Sequence, residues 1–151
     1  TAASISVGMH HVCAVTLTGG VKCWGANYDG VLGNNSTLLS FGRPGDVIDT
    51  SGKTLLSLNI AKVSAGTRST CVLLTTGAVK CWGFSTILGL NDPTVNTKIA
   101  QDVFGLQSGS GIKSIETGES GACAIRVDDS LTCWGFLSSL PKGLPQAIPG
   151  F

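Results

Sequence analysis

Gly8-Met9-His10-His11-Val12-Cys13-Ala14-Val15-Thr16-Leu17-Thr18-Gly19-Gly20-Val21-Lys22-Cys23-Trp24-Gly25 recurs twice more in the 151 residues of this chain. The second copy runs from Gly66 through Cys71 to Cys81-Trp82-Gly83, and the third from Gly118 through Cys123 to Cys133-Trp134-Gly135. In each copy a glycine stands five residues before the first cysteine, and the second cysteine follows ten later. Self-similarity at this scale marks a unit that stacks on its neighbours to bury both faces.

Within a copy, period-two alternation predicts a hairpin of two strands around Thr18-Gly19-Gly20. Cys13, Val15, Leu17, Val21 and Cys23 then share one face and Trp24 takes the other. Cys71, Leu73, Val79 and Cys81 share that face in the second copy, and Cys123, Ile125, Val127, Leu131 and Cys133 in the third, with Trp82 and Trp134 opposite. Cysteines at the two ends of such a hairpin lie across from each other. Non-hydrogen-bonded antiparallel partners sit with Cα atoms about 4.5 Å apart, a distance a disulfide spans. The expected pairs are Cys13–Cys23, Cys71–Cys81 and Cys123–Cys133, one solution repeated three times. The repeated glycines are structural on this reading: Gly8, Gly66 and Gly118 admit a close approach or a positive-φ bend at one end, and Gly25, Gly83 and Gly135 do so at the other. The tryptophans are read as packing between units, not as ligand platforms.

Composition limits the function classes. Charged residues are only 13% and the net charge is +1, with lysines and arginines scattered singly. No basic stripe tracks a phosphate backbone, so nucleic acid is not an expected partner. No apolar run is long enough to span a bilayer as a helix, so membrane insertion is not expected. Six cysteines with none left over favour an oxidising compartment, hence a secreted, extracellular or cell-surface setting. The start at Thr1 suggests a processed or excised chain. Overlapping sequons at Asn34-Asn35-Ser36 and Asn35-Ser36-Thr37 make Asn34 and Asn35 candidate glycosylation sites.

The intervening stretches change character. Residues 26–45, rich in Gly, Asn, Ser and Pro, read as a loop, followed by a short edge strand at Asp46-Val47-Ile48-Asp49. Residues 84–111, with Ile87-Leu88-Gly89-Leu90 and Asn91-Asp92-Pro93, read as a second variable loop. No segment shows helical periodicity, and Pro141, Pro145 and Pro149 exclude a long helix near the end.

Chemistry-bearing constellations are sparse. His10, His11 and Cys13 are close in sequence, but there is no Cys-x2-Cys pair, and Ser69 and Gly121 stand where the first copy has His11. Neither a metal site, a cofactor nor a thiol nucleophile is expected. Asp128-Asp129 reads as a turn cap, Glu116 and Glu119 as rim residues, and Asp46 with Asp49 lacks a calcium-loop spacing. Lys22 and Lys80 share the tryptophan face, where a lysine stem covers an indole or places its charge over it.

The phrase Gly-x-x-His/Ser-x-Cys-Ala/Val ending in Val-Lys-Cys-Trp-Gly resembles the repeats of the regulator of chromosome condensation family. Trp24-Gly25-Ala26-Asn27-Tyr28-Asp29-Gly30-Val31-Leu32-Gly33 looks like that family's Trp-Gly-x-Asn-x-x-Gly-Gln-Leu-Gly. The second copy is shortened after Trp82 but retains Leu88-Gly89; the third departs at Gly121 and Leu131-Thr132. The resemblance implies an all-β fold of propeller blades, three in this chain, making a half or partial propeller. Its cysteine-paired form is similar to extracellular relatives.

The expected organisation is one propeller segment over 1–151, with blade cores at about 4–33, 60–90 and 112–137. Residues 141–151 would supply an outer strand to the first blade or to a neighbouring chain. Expected partners are other copies of the chain, further blades of a parent chain, or an extracellular protein or glycan. The expected function is a non-catalytic extracellular structural or protein-binding module within a larger propeller or an oligomeric or filamentous assembly, with loops 26–45 and 84–111 carrying specificity. Lectin-like binding of carbohydrate or a small ligand is the alternative, and it requires solvent-exposed tryptophan.

Overall fold

The computed structural model describes residues 1–91 and 96–150. Among the described residues, twelve strands form three four-stranded antiparallel meanders. Blade one contains β1 (Ala2–Val7), β2 (His11–Thr16), β3 (Val21–Ala26) and β4 (Ser40–Asp46). Blade two contains β5 (Ile60–Ala65), β6 (Ser69–Leu74), β7 (Val79–Gly83) and β8 (Thr97–Asp102). Blade three contains β9 (Ile112–Thr117), β10 (Gly121–Arg126), β11 (Leu131–Gly135) and β12 (Gln146–Ile148). Asp92 and Pro93 of the Asn-Asp-Pro turn signal lie outside the described residues.

The two central strands of each blade are the repeated hairpin. Cys13 pairs Cys23, Cys71 pairs Cys81 and Cys123 pairs Cys133 in register, with Cα separations of 4.1, 4.1 and 4.0 Å and a disulfide across each pair. Period two then decides which neighbour each face meets. The cysteine face of blade one (Cys13, Val15, Val21, Cys23) packs with Val63, Val72 and Trp82 of blade two. The cysteine face of blade two (Cys71, Leu73, Val79, Cys81) packs with Ile112, Ile115, Ala122, Ala124 and Trp134 of blade three. At each of the two interfaces the cysteine face of one blade therefore meets the tryptophan of the next.

The leading glycines set how closely blades approach. A Cβ on Gly8 would lie 2.4 Å from the Gly66 carbonyl oxygen, and one on Gly66 would lie 2.4 Å from that of Gly118. The amides of Met9 and Thr67 reach the same two oxygens at 3.4 Å, so the inner edges of the blades are hydrogen-bonded in series. Further out, Ser6 Oγ accepts from the Ala65 amide and Ser64 Oγ from the Thr117 amide, each at 2.9 Å. One set of contacts thus builds both interfaces.

The outer strands depart from the sequence reading. Blade one's fourth strand runs over Ser40–Asp46, inside the stretch read as loop, rather than over 46–49. Gly42, Pro44 and Gly45 weaken any strand signal, yet an edge strand tolerates a missing amide and flexible glycines. Blade two's fourth strand, Thr97–Asp102, likewise lies inside the second variable stretch. Lys22 aligns with Asp46 and Lys80 with Asp102, and their ammonium groups reach those carboxylates at 2.7 and 2.9 Å. The lysine heads go to outer-strand aspartates rather than to the indoles. The C-terminal strand is also placed differently: β12 pairs β11 of its own blade, Thr132 opposite Ala147. A short connection after β11 brings it back as an antiparallel neighbour, so it completes blade three and leaves blade one to β4.

Candidate functional site: the cleft between blades one and two

Asn27 shapes the loop that follows Trp24-Gly25. Its side-chain oxygen accepts from the Leu32 amide at 3.1 Å, and its amide nitrogen donates to the Leu38 carbonyl at 3.0 Å. The loop so folded delivers Leu32-Gly33 onto blade two, where a Cβ on Gly33 (φ +64°) would lie 2.8 Å from the Trp82 ring nitrogen. Gly89 (φ +68°) meets the Trp134 ring in the same way. Trp82 and Trp134 are fully buried as a result, while Trp24, which no blade covers among the described residues, is half-buried. The buried indoles remove the platform that lectin-like binding requires at those two positions.

The first interface carries a polar seam that the second lacks. Trp82 Nε1 donates to the Val31 carbonyl at 2.6 Å, and Thr70 Oγ1 donates to the same oxygen at 3.0 Å. With its proton spent there, the Thr70 hydroxyl accepts from His11 Nε2 at 2.7 Å. His11 is therefore neutral with its proton on Nε2, and burial, assisted by neighbouring His10, lowers its pKa from 6.5 to about 4. Its Nδ1 is buried and makes no hydrogen bond among the described residues. His10, His11 and Cys13 do not converge: Cys13 is in a disulfide, His11 is on Thr70, and His10 meets Tyr28 edge-on at 6.4 Å between ring centroids. Among the described residues no group of three or more His, Cys, Asp or Glu is placed to hold a metal ion.

Above this seam a cavity of about 370 Å³ opens between the loop ends of blades one and two. Met9, His10, Ala26, Tyr28, Asp29, Val31, Thr67 and Arg68 line it together with His11. Arg68 reaches across from blade two and binds Asp29 with two hydrogen bonds, Nε to Oδ2 at 2.8 Å and Nη2 to Oδ1 at 3.1 Å. The Asp29 hydrogen bond pushes the guanidinium pKa up from its already high value. The carboxylate also accepts from Asn96 Nδ2 at 3.0 Å, and the guanidinium carbon lies 3.6 Å from the Phe84 ring centroid. A planar cation held at one edge and one face has a defined orientation toward the cavity.

The sequence reading does not bring these residues together. Tyr28 and Asp29 enter it within loop 26–45 and the repeat resemblance, with no partner named, and Arg68 occupies the position of His10 in its copy, 39 residues from the aspartate it binds. Of the candidate glycosylation sites, Asn34 is tied through its side-chain oxygen to the Ser36 amide at 3.1 Å, and Asn35 is exposed with φ 56°. Asp128 accepts from the amide and hydroxyl of Ser130, at 3.1 and 2.6 Å, as a turn cap does.

Residues 2–31 and 60–86 match the regulator of chromosome condensation (RCC1) repeat. The first and second copies of the repeat fall within the matched segments. The third, with Gly121 and Leu131-Thr132, falls outside the matched segments. No curated protein matches the chain in sequence. Among solved structures, human WBSCR16 superposes with a TM-score of 0.83 at 17% identity, over 99% of this chain and 38% of that one. Yeast RCC1 (Prp20) bound to Kap60 gives 0.74 at 16% identity, over 99% and 37%. The C-terminal domain of gp131 from bacteriophage phiKZ gives 0.53 at 14% identity, over 99% and 39%. The chain thus spans under two-fifths of these proteins, and its fold is a run of three RCC1-type blades in an unclosed propeller.

The secreted, extracellular setting and the extracellular protein or glycan partners expected from the cysteines are overturned by these matches. The yeast RCC1 structures concern Kap60, Gsp1p and histones. Cysteine pairing reports that two strands hold their β-carbons within reach; the compartment was inferred from a redox tendency that cross-strand geometry does not carry.

Proposed function

We propose that this chain is a non-catalytic protein-binding module, three blades of a larger propeller, that presents its loop ends to a protein partner. One observation carries the reading. Two interfaces that share their leading-glycine, serine and Leu-Gly contacts cover Trp82 and Trp134, while the equivalent face of blade one meets no blade among the described residues and leaves Trp24 and Val12 only half-buried. A sheet face that is fully covered in two repeats and only partly covered in the remaining one calls for a preceding blade. Protein binding is supported by the kinship of fold with yeast RCC1, whose solved complex is with the protein Kap60.

The test adds the blade. Residues 60–110 placed ahead of Thr1 keep the spacing that joins blade two to blade three, and they bring a second Leu88-Gly89 to Trp24. The expected result is a higher melting temperature and protection of Trp24 from acrylamide quenching. An appended blade that leaves Trp24 quenchable and the original transition unmoved would refute the reading.

A further inference from the structure

We propose that the cleft between blades one and two binds a peptide segment carrying a carboxylate side chain beside a large apolar residue. This rests on the protein-binding reading and specifies the partner's chemistry.

The permanent donor left open in the cleft is the outer edge of Arg68, while the unpaired acceptor His11 Nδ1 is buried out of reach. Both oxygens of Asp29 are occupied by Arg68 and Asn96, and its side chain is only 15% exposed. Arg68 is 45% exposed, spends Nε and one Nη2 hydrogen on Asp29, and makes no bond through Nη1 among the described residues. The free edge of the guanidinium, Nη1 with the second Nη2 hydrogen, has the fork spacing of a carboxylate. The hydroxyls of Thr67 and Tyr28, and the ring of His10, likewise make no hydrogen bond among the described residues. Because Phe84 and Asp29 already hold the guanidinium, little side-chain freedom remains to be lost on binding.

The apolar half of the site is the rim. Met9 is 65% and Tyr28 70% exposed, and both line the cavity. Tyr and Met are enriched where proteins meet proteins. The repeat does not demand this arrangement. Where blade two has Thr67 and Arg68 after its leading glycine, blade three has Glu119 and Ser120, and the loop carrying Tyr28 and Asp29 has no counterpart in the shortened second copy.

Fluorescence anisotropy with labelled eight-residue peptides tests the assignment: one with Glu-Leu at its centre, its Gln-Leu isostere, and a Glu-Ser version. The Glu-Leu peptide is expected to bind roughly tenfold more tightly than either. Arg68→Gln should abolish the preference for Glu, and Arg43→Gln, an exposed arginine away from the cleft, should leave it intact. Asp29→Asn removes the competing anion and should tighten the Glu-Leu complex. Were Arg68 only a latch between blades, Asp29→Asn would loosen the fold without improving binding, and that result would overturn the proposal. Equal binding of all three peptides, or displacement by inorganic phosphate as readily as by unlabelled peptide, would also overturn it. If no peptide binds while the added blade still protects Trp24, the cleft assignment falls and the propeller reading stands. If peptide binds but the added blade does not dock, the reverse holds.

Discussion

The same substitution at two equivalent glycines should have opposite consequences. Gly66→Ala places a methyl 2.4 Å from the Gly118 carbonyl oxygen, about 1 Å inside the ordinary contact of 3.4 Å or more. The obstructing atom is backbone, so relief requires blade three to move away from blade two, weakening the Thr67 amide bond to that oxygen and loosening the apolar contact behind it. Forced overpacking of this kind costs roughly 2 kcal/mol. In a chain of this size that lowers the melting temperature by about 4–8 °C. Gly118→Ala meets nothing nearer than 3.7 Å, because among the described residues no blade packs against that side of blade three. Neither glycine has a positive φ, so no backbone strain is added, and reduced freedom of the unfolded chain favours alanine by a few tenths of a kcal/mol. Thermal unfolding by circular dichroism under non-reducing conditions should show Gly66→Ala well below the parent and Gly118→Ala at or slightly above it. Equal losses at the two sites would refute the claim that blade approach, not backbone conformation, sets these glycines.

Trp82→Ala should cost about 3–5 kcal/mol, and Trp24→Ala clearly less, since only the former is covered by a Leu-Gly notch; chemical denaturation separates them. Replacing Cys71 and Cys81 together by serine should cost roughly 2–3 kcal/mol by the loop-closure argument, read from the urea midpoint. His11 has a folded pKa depressed to about 4 from 6.5, so the unfolded chain binds the extra proton between those values. Its contribution to stability is complete above about pH 6.5 and lost as pH falls toward 4, by up to about 3 kcal/mol. A His11→Gln variant should flatten the pH dependence of the denaturation midpoint in that window.

The repeated hairpin was legible because everything that defines it is local: a ten-residue cysteine spacing, period-two faces, and a tight turn. The two faces follow the predicted division, although Leu17 and Val127 lie past the ends of their strands and are exposed. The outer strands were not legible. β4 holds two glycines and a proline, and its signal is an aspartate 24 residues after Lys22, matched by Asp102 at 22 residues after Lys80. That pairing identifies a fourth strand only once the sheet is known. β12 was recognisable as a strand, but its neighbour depends on the path of the loop before it. The cleft was hidden for a related reason, since Arg68 and Asp29 occupy non-repeating positions that folding brings together.

The two open faces also constrain what lies beyond them. Blade three keeps the apolar cysteine face: Cys123, Ile125 and Leu131 occupy the positions of Cys71, Leu73 and Val79, so its sheet can accept another blade. Its notch has changed. Counting from Gly83 and Gly135, Leu140-Pro141 stands where blade two has Leu88-Gly89. The glycine there adopts φ +68°, which proline, held near −65°, does not reach. Blade three also replaces the accepting serine of Ser6 and Ser64 with Glu116, which turns back to Lys62 and Ser64 of blade two. A head-to-tail array of this chain alone would set Trp24 against a blade without the notch that covers Trp82 and Trp134. Trp24 is thus matched to a blade that ends in Leu-Gly, and blade three to one that does not require it. The run of three blades is directional, and in the larger propeller proposed above its two ends would take different neighbours.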